Sequence, residues 1–349
     1  MAAMSTSNGW ERHVRVNFRE LLGEVSDSVS TSHGSPASSW TALILALLYG
    51  GVLAALPLEA FKDRVNYLVY AQDSWYLLLT YWERGVLPTL ANEPLWLLLN
   101  AALGSWLAPD IVVRVLIGVP AALVAWLILR YGQGHLFWLL LILLLPQVVK
   151  NHIVHLRQGV AIAIFLAAWH IRRQPFRALL MLATPLIHAS FAFIIGLLGL
   201  SRITWFLRFA PDLRSLVFLG SGIFIGFGLG VLATSVGARQ ASLYHFIAAD
   251  VSGLGFLFWT TVFIIWCLES RRFLREHAFE SSIILFYLGT YFLVEVAGRV
   301  FESGLALVLL AGLNLTRWRR RAFLLLFVGY FVLQWLTRMA YPWLGFGVG

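Results

Sequence analysis

Charge is scarce in this chain and cysteine nearly missing: Asp, Glu, Lys and Arg make up 12% of 349 residues, and Cys267 is the single cysteine. One thiol excludes an intramolecular disulfide framework and a cysteine-based metal site. Three signatures of soluble enzymes are also missing, GxxxxGK[ST], HExxH and GxSxG, so the nucleotide, zinc-protease and serine-esterase chemistries they mark have no support. Asn151, His152 and His155 lie close together without a carboxylate set, so neither a metal nor another cofactor is expected. No basic and aromatic run suited to RNA is present, which removes nucleic acid from the expected partners.

What is present is apolar. With 60% hydrophobic residues and a mean hydropathy of +0.79, the chain predicts an all-α fold, a polytopic integral membrane protein with about eleven transmembrane or partly re-entrant helices. Fifteen tryptophans suit interfacial belts. The net charge of +9 is carried largely by arginine clusters in short connections, a pattern that speaks for membrane topology and anionic lipid contact.

Residues 1–38 read as a cytoplasmic N-terminal tail, in which ERHVRVNFRELLGEV is periodic enough for an interfacial helix. Residues 39–345 read as a single transmembrane helical domain, with 57–90 as its outer loop. The apolar runs are Trp40–Leu56, Leu95–Leu107, Ile111–Leu129, Leu136–Val149, Val160–Ile171, Ala178–Leu200, Leu216–Val236, Val251–Leu268, Ile283–Val296, Leu305–Leu315 and Ala322–Leu336. Several fall short of the ~20 residues of a straight span. Arg271, Arg272 and Arg275, then Arg317 and Arg319 to Arg321, belong on the cytoplasmic side, and straight spans with a cytoplasmic N-terminus satisfy both clusters. The same count puts Asp63, Arg239 and Arg299 outside. It also puts Arg172, Arg173 and Arg177 outside, against the rule, unless Leu136–Val149 is re-entrant and the glycine-rich Leu216–Val236 segment restores parity.

The polar groups cluster at the mouth of an apolar helix, NHIVHLRQGVAIAIFLAAW. Read as one helix, Asn151, His155 and Gln158 share a face with Arg157 beside them, and Gly159, Ala163 and Ala167 admit a neighbouring helix. An arginine at mid-bilayer costs roughly 2.5–3.5 kcal/mol on insertion scales, so Arg157 requires a partner or a function, or else snorkels to headgroups. In an antiparallel hairpin turning near Gln174, Arg157 and His188 differ in depth by about three residues, ~4.5 Å, so they can meet. His188 follows Pro185 and has a structural alternative, satisfying the carbonyl that proline frees. Glu295, Arg299 and Glu302 fall at i, i+4 and i+7, either a self-satisfied triad or an arginine held to present its donors to phosphate. Arg114 near Asp110 reads as a structural pair or a snorkelling end. Arg239 and Tyr244 stand in a connection that a solvated loop explains equally well.

Asn151, Arg157, Gln158, His188 and Ser190, in the pattern N-x5-RQ followed about thirty residues later by IHAS, resemble the EpsG family of exopolysaccharide polymerases, relatives of the Wzy-type polymerases. DRVNY from Asp63, NEPLW with Glu93, and AGRVFES with Arg299 extend the resemblance to about Ser303. The chain departs from the pattern at Ala189, where an aromatic is usual, and at Gly298, where an acidic residue would precede the arginine.

The resemblance implies a metal-independent membrane glycosyltransferase that joins polyprenyl-diphosphate-linked oligosaccharides at the outer face of the cytoplasmic membrane, beside a flippase and a chain-length regulator. Arg157, Arg239 and Arg299 would then meet the diphosphate leaving group, since arginine stays charged and binds phosphate through two donors. Asp63, Glu93 or His188 would be the base for the acceptor hydroxyl, an acidic residue being favoured by analogy with other lipid-sugar-dependent transferases. Gln158, Asn151, Tyr67 and Tyr244 would bind substrate. Two rivals remain: a lipid-linked-oligosaccharide flippase, which would show two similar halves that are not found here, and a lipid-phosphate-sugar-dependent transferase of one monosaccharide.

Overall fold

The computed structural model describes residues 36–131, 135–235, 251–295 and 297–347; the expected tail before residue 36, and Arg239 and Tyr244, lie outside them. Among the described residues the fold is all-α, as expected, and the only β contact is an isolated antiparallel bridge between Phe61 and Gly347. The helices are α1 (Pro36–Ala55), α2 (Arg64–Glu83), α3 (Val86–Ala91), α4 (Pro94–Gly104), α5 (Pro109–Tyr131), α6 (Leu136–Leu143), α7 (Pro146–Ile153), α8 (Leu156–Trp169), α9 (Gln174–Ala183), α10 (Phe191–Phe206), α11 (Pro211–Ser235), α12 (Leu254–Glu269), α13 (Arg271–Glu276), α14 (Ala278–Thr290), α15 (Ala297–Gly312) and α16 (Arg317–Leu336).

Among the described residues, α5 alone is apolar and long enough to cross a bilayer, over Pro109–Arg130. Asp110 in its first turn and Arg130 in its last complement the helix dipole. It packs on α1 through small residues: a Cβ at Gly50 would stand 2.4 Å from the Gly118 carbonyl oxygen, so the two backbones meet where only glycine fits. Helices α6 and α7 together match a span but bend by 52° at Leu144–Leu145, before Pro146, and the other apolar helices are shorter pieces.

Polar contacts sort the connections into two ends. At one end Arg271 pairs with Asp212 at 2.8 Å, Arg319 with Glu269 at 2.7 Å, and Arg320 with the His135 ring at 2.8 Å. Trp169, just before Arg172, stacks on Phe279 at 5.5 Å and so belongs to the same end. The opposite end carries Glu93, Arg157, His188 and Arg299.

Arg114 is a helix cap and does not pair with Asp110: its Nη1 donates to the Ala54 carbonyl at 2.6 Å, completing the C-terminus of α1. This contact sets the two ends of the 57–108 excursion side by side. The expected run Leu95–Leu107 forms the eleven-residue helix α4. The expected outer loop is itself mostly helical, with α2 packed on α4 where the Ala71 carbonyl meets Gly104. The expected single run Ala178–Leu200 is two helices, α9 and α10, on either side of a turn at Thr184–Ser190.

The most extensive helix pairings are α1 on α5, α11 on α14, α2 on α4, α5 on α8 and α14 on α15. Arg177 lies over the Trp169 ring at 5.7 Å, so the connection that carries Arg172, Arg173 and Arg177 sits at the same end of the bundle as Arg271 and Arg319.

Candidate functional site

Glu93 organises the polar end of the bundle. It stands between α3 and α4 with left-handed backbone angles, φ 60° and ψ 57°, and Pro94 begins the next helix. A non-glycine residue rarely adopts that conformation, and here it accompanies a carboxylate that is 2% exposed. The carboxylate is fully occupied. Arg157 Nη1 donates to Oε2, while the Ala189 backbone N–H and His188 Nδ1 each reach Oε1 at 3.1 Å. Three chain segments far apart in sequence thus meet on one buried charge, which charge-assisted bonds compensate.

Arg157 is positioned by a break between two helices, where the sequence predicts one. Asn151 and His155 do not lie on one helix with Gln158, because α7 ends at Ile153 and α8 begins at Leu156. The fold-back is tight: a Cβ on Gly159 would stand 2.4 Å from the Asn151 carbonyl oxygen, so the small residue admits the preceding helix and not a distant one. The Leu156 N–H, an orphan donor at the start of α8, donates to the Tyr67 hydroxyl at 3.1 Å. Tyr67 is buried against Trp96 and Tyr70, which removes it as a sugar-stacking surface. The Arg157 guanidinium also lies 5.8 Å from the Tyr70 ring centroid.

His188 sits in the turn after Pro185, and its ring faces the Glu93 carboxylate, not a freed carbonyl. A carboxylate at Nδ1 fixes the proton there, leaving Nε2 with its lone pair. Nε2 is buried and makes no hydrogen bond.

A second set of bonds ties α8 to α15. Gln158 Nε2 donates to the Arg299 carbonyl at 3.0 Å and to Ser303 Oγ at 3.1 Å, and Ser303 Oγ meets Ser190 Oγ at 2.8 Å. The expected triad of Glu295, Arg299 and Glu302 does not form: Glu295 precedes α15, and Glu302 pairs with Lys150 at 2.7 Å. Asn151 Nδ2 donates to the Glu302 carbonyl at 3.5 Å, so Asn151 and Gln158 hold the scaffold. Arg299 is exposed in the first turn of α15. Asp63 is exposed at the start of α2, and the bonds of the cluster do not include it.

The arrangement therefore unites Arg157, His188, Glu93, Gln158 and Asn151, with Arg299 on the adjoining helix turn. Lys150 was missed, although a lysine beside apolar Val148 and Val149 was a signal that it has an anionic partner. Among the described residues no group of three or more His, Cys, Asp or Glu is placed to hold a metal ion. No family model, curated protein or solved structure matches the chain.

Proposed function

We propose that this chain is a polytopic protein of the cytoplasmic membrane that joins lipid-diphosphate-linked oligosaccharides into a longer polysaccharide at the outer face. The observation that carries the reading is the buried Glu93 carboxylate, which gathers Arg157 and His188 and leaves His188 Nε2 buried without a hydrogen-bond partner. The membrane reading draws on the gathering of arginine connections at one end, which positive-inside bias makes cytoplasmic. It draws as well on large apolar side chains facing outward along the passes, among them Leu47, Phe224, Leu257 and Leu325.

In the proposed reaction the acceptor hydroxyl gives its proton to His188 Nε2. Its oxygen bonds to the anomeric carbon of the donor, and the bond from that carbon to the diphosphate breaks, the electron pair leaving on the diphosphate. Glu93 stabilises the imidazolium and is not itself the base, since both its oxygens are engaged. Arg157, which gives one of its N–H donors to Glu93, and Arg299 on the adjoining helix turn meet the charge developing on the leaving group. Phosphate clamps of this kind act by electrostatic preorganisation.

The test is a purified assay in lipid nanodiscs with chelator present and lipid-linked oligosaccharide extracted from the source membranes. Polymer should appear as a ladder, with one polyprenyl diphosphate released per linkage. Transbilayer movement of the substrate in proteoliposomes with no new linkage would overturn the reading in favour of a flippase.

A further inference from the structure

Near the polar end lies a cavity of about 420 Å³ whose walls come from distant parts of the chain. Lys62 precedes α2, Lys150 belongs to α7, and Arg338, Tyr341, Pro342 and Phe346 follow α16. Three cationic side chains line it and no acidic one does. The wall is a built feature. The Lys62 N–H donates to the Phe346 carbonyl at 3.2 Å, Phe61 bridges to Gly347, and the Phe61 and Trp343 rings lie 5.4 Å apart. Trp343 and Leu344 hold left-handed backbone angles with φ 48° and 56°, which folds the segment back over the cavity. Arg338 is oriented by Gln334, whose Oε1 accepts from Nη1 at 3.1 Å.

A surplus of positive charge over an aromatic and proline wall suits an organic anion with several phosphate oxygens. Glu302 offsets only part of that charge, through Lys150. The same glutamate neighbours Ser303, whose hydroxyl bonds Ser190, so the cavity connects to the reacting cluster through one turn of α15. Yet neither Arg157 nor His188 lines it. A diphosphate held there is therefore not the one whose bond breaks.

We propose that this cavity binds the diphosphate of the second lipid-linked oligosaccharide, the one that keeps its lipid through the reaction. A polymerase must hold two such substrates, and only one of them loses its diphosphate in each cycle. The choice of which diphosphate rests on the polymerase reading; the binding of a lipid diphosphate rests on the cavity alone.

The experiment uses the full chain in nanodiscs with synthetic polyprenyl diphosphate lacking sugar as the probe, read by native mass spectrometry and by titration. Wild type should carry two lipids, and the Lys62→Ala, Arg338→Ala double variant one, each single change weakening the second binding event about tenfold. The charge-keeping pair Lys62→Arg and Arg338→Lys should retain it, which separates lost charge from lost folding. Unchanged binding by the alanine pair, or no binding by wild type, overturns the proposal. So does equal competition by phosphatidylglycerol, which would make the cavity a general headgroup site. A chain that binds two diphosphates and makes no polymer would instead remove the polymerase reading and leave the cavity standing.

Discussion

Replacing Glu93 by glutamine tests the organising contact with almost no change of shape. The carboxylate accepts from three donors: Arg157, His188 and the Ala189 N–H. An amide has one acceptor oxygen, which can keep His188 and Ala189, but its NH2 group then confronts the Arg157 guanidinium donor to donor. Removing one partner of a buried ion pair costs roughly 3–5 kcal/mol, because the other charge is left uncompensated. Arg157 keeps some exposure, with 22% of its side chain accessible against 3% for Glu93, so the lower part of that range is expected. Arg157→Gln should lose a similar amount for the mirrored reason. In the double variant two amides can bond to one another, and the losses should fall short of additive by about 1–3 kcal/mol. The assay is reversible unfolding of the detergent-solubilised chain followed by a probe at the polar end. Additive losses within about 0.5 kcal/mol would refute the claim that these residues form one buried pair.

Arg157→Lys should lose nearly as much polymer as Arg157→Ala, because an ammonium cannot serve Glu93 and a phosphate as a planar fork does; full polymer from lysine at both 157 and 299 would remove the guanidinium mechanism. In a Cys267→Ala background, Asp73→Cys should react with an impermeant thiol reagent in intact spheroplasts, whereas Arg172→Cys and Arg320→Cys should not. Labelling at 172 with protection at 320 would restore the straight-span topology. Tyr67→Phe should lower stability by about 1–2 kcal/mol, since the Leu156 N–H loses its acceptor, and a stability equal to wild type would mean that water replaces the hydroxyl. Gly159→Ala should cost about 1–3 kcal/mol because the Asn151 carbonyl cannot recede without unfolding the turn between α7 and α8, so an unperturbed variant would contradict the fold-back.

Much of this site was legible in residues 63–303, and the limits follow from physics. Arg157 and His188 were expected to meet because hairpin depth is set by helix rise, and they do converge. Glu93 was named as a candidate base, but its bonds to both residues were not expected, since it lies far away in sequence and a contact across the bundle leaves no periodic trace. The same blindness hid the pairing of Glu302 with Lys150, which helix spacing alone had given to Arg299. Helix class was readable from hydropathy, yet the break at Val154–His155 was not, because Asn151, His155 and Gln158 also fit one helical face, and Pro185 alone does not place the turn at Thr184–Ser190. A run such as α4, apolar but for Asn100, looks alike in sequence whether it traverses a bilayer or packs against α2.

The central claim is that Arg157 and His188, held by Glu93, serve one transition state. Polymerisation by Arg157→Ala, His188→Ala and the double variant, each verified as folded and inserted, measures it most directly. Groups acting as a unit are strongly non-additive, so either single loss should forfeit most of what the double loses, with His188→Ala down by about a hundredfold or more. A double variant whose free-energy loss equals the sum of the two singles would contradict the shared site.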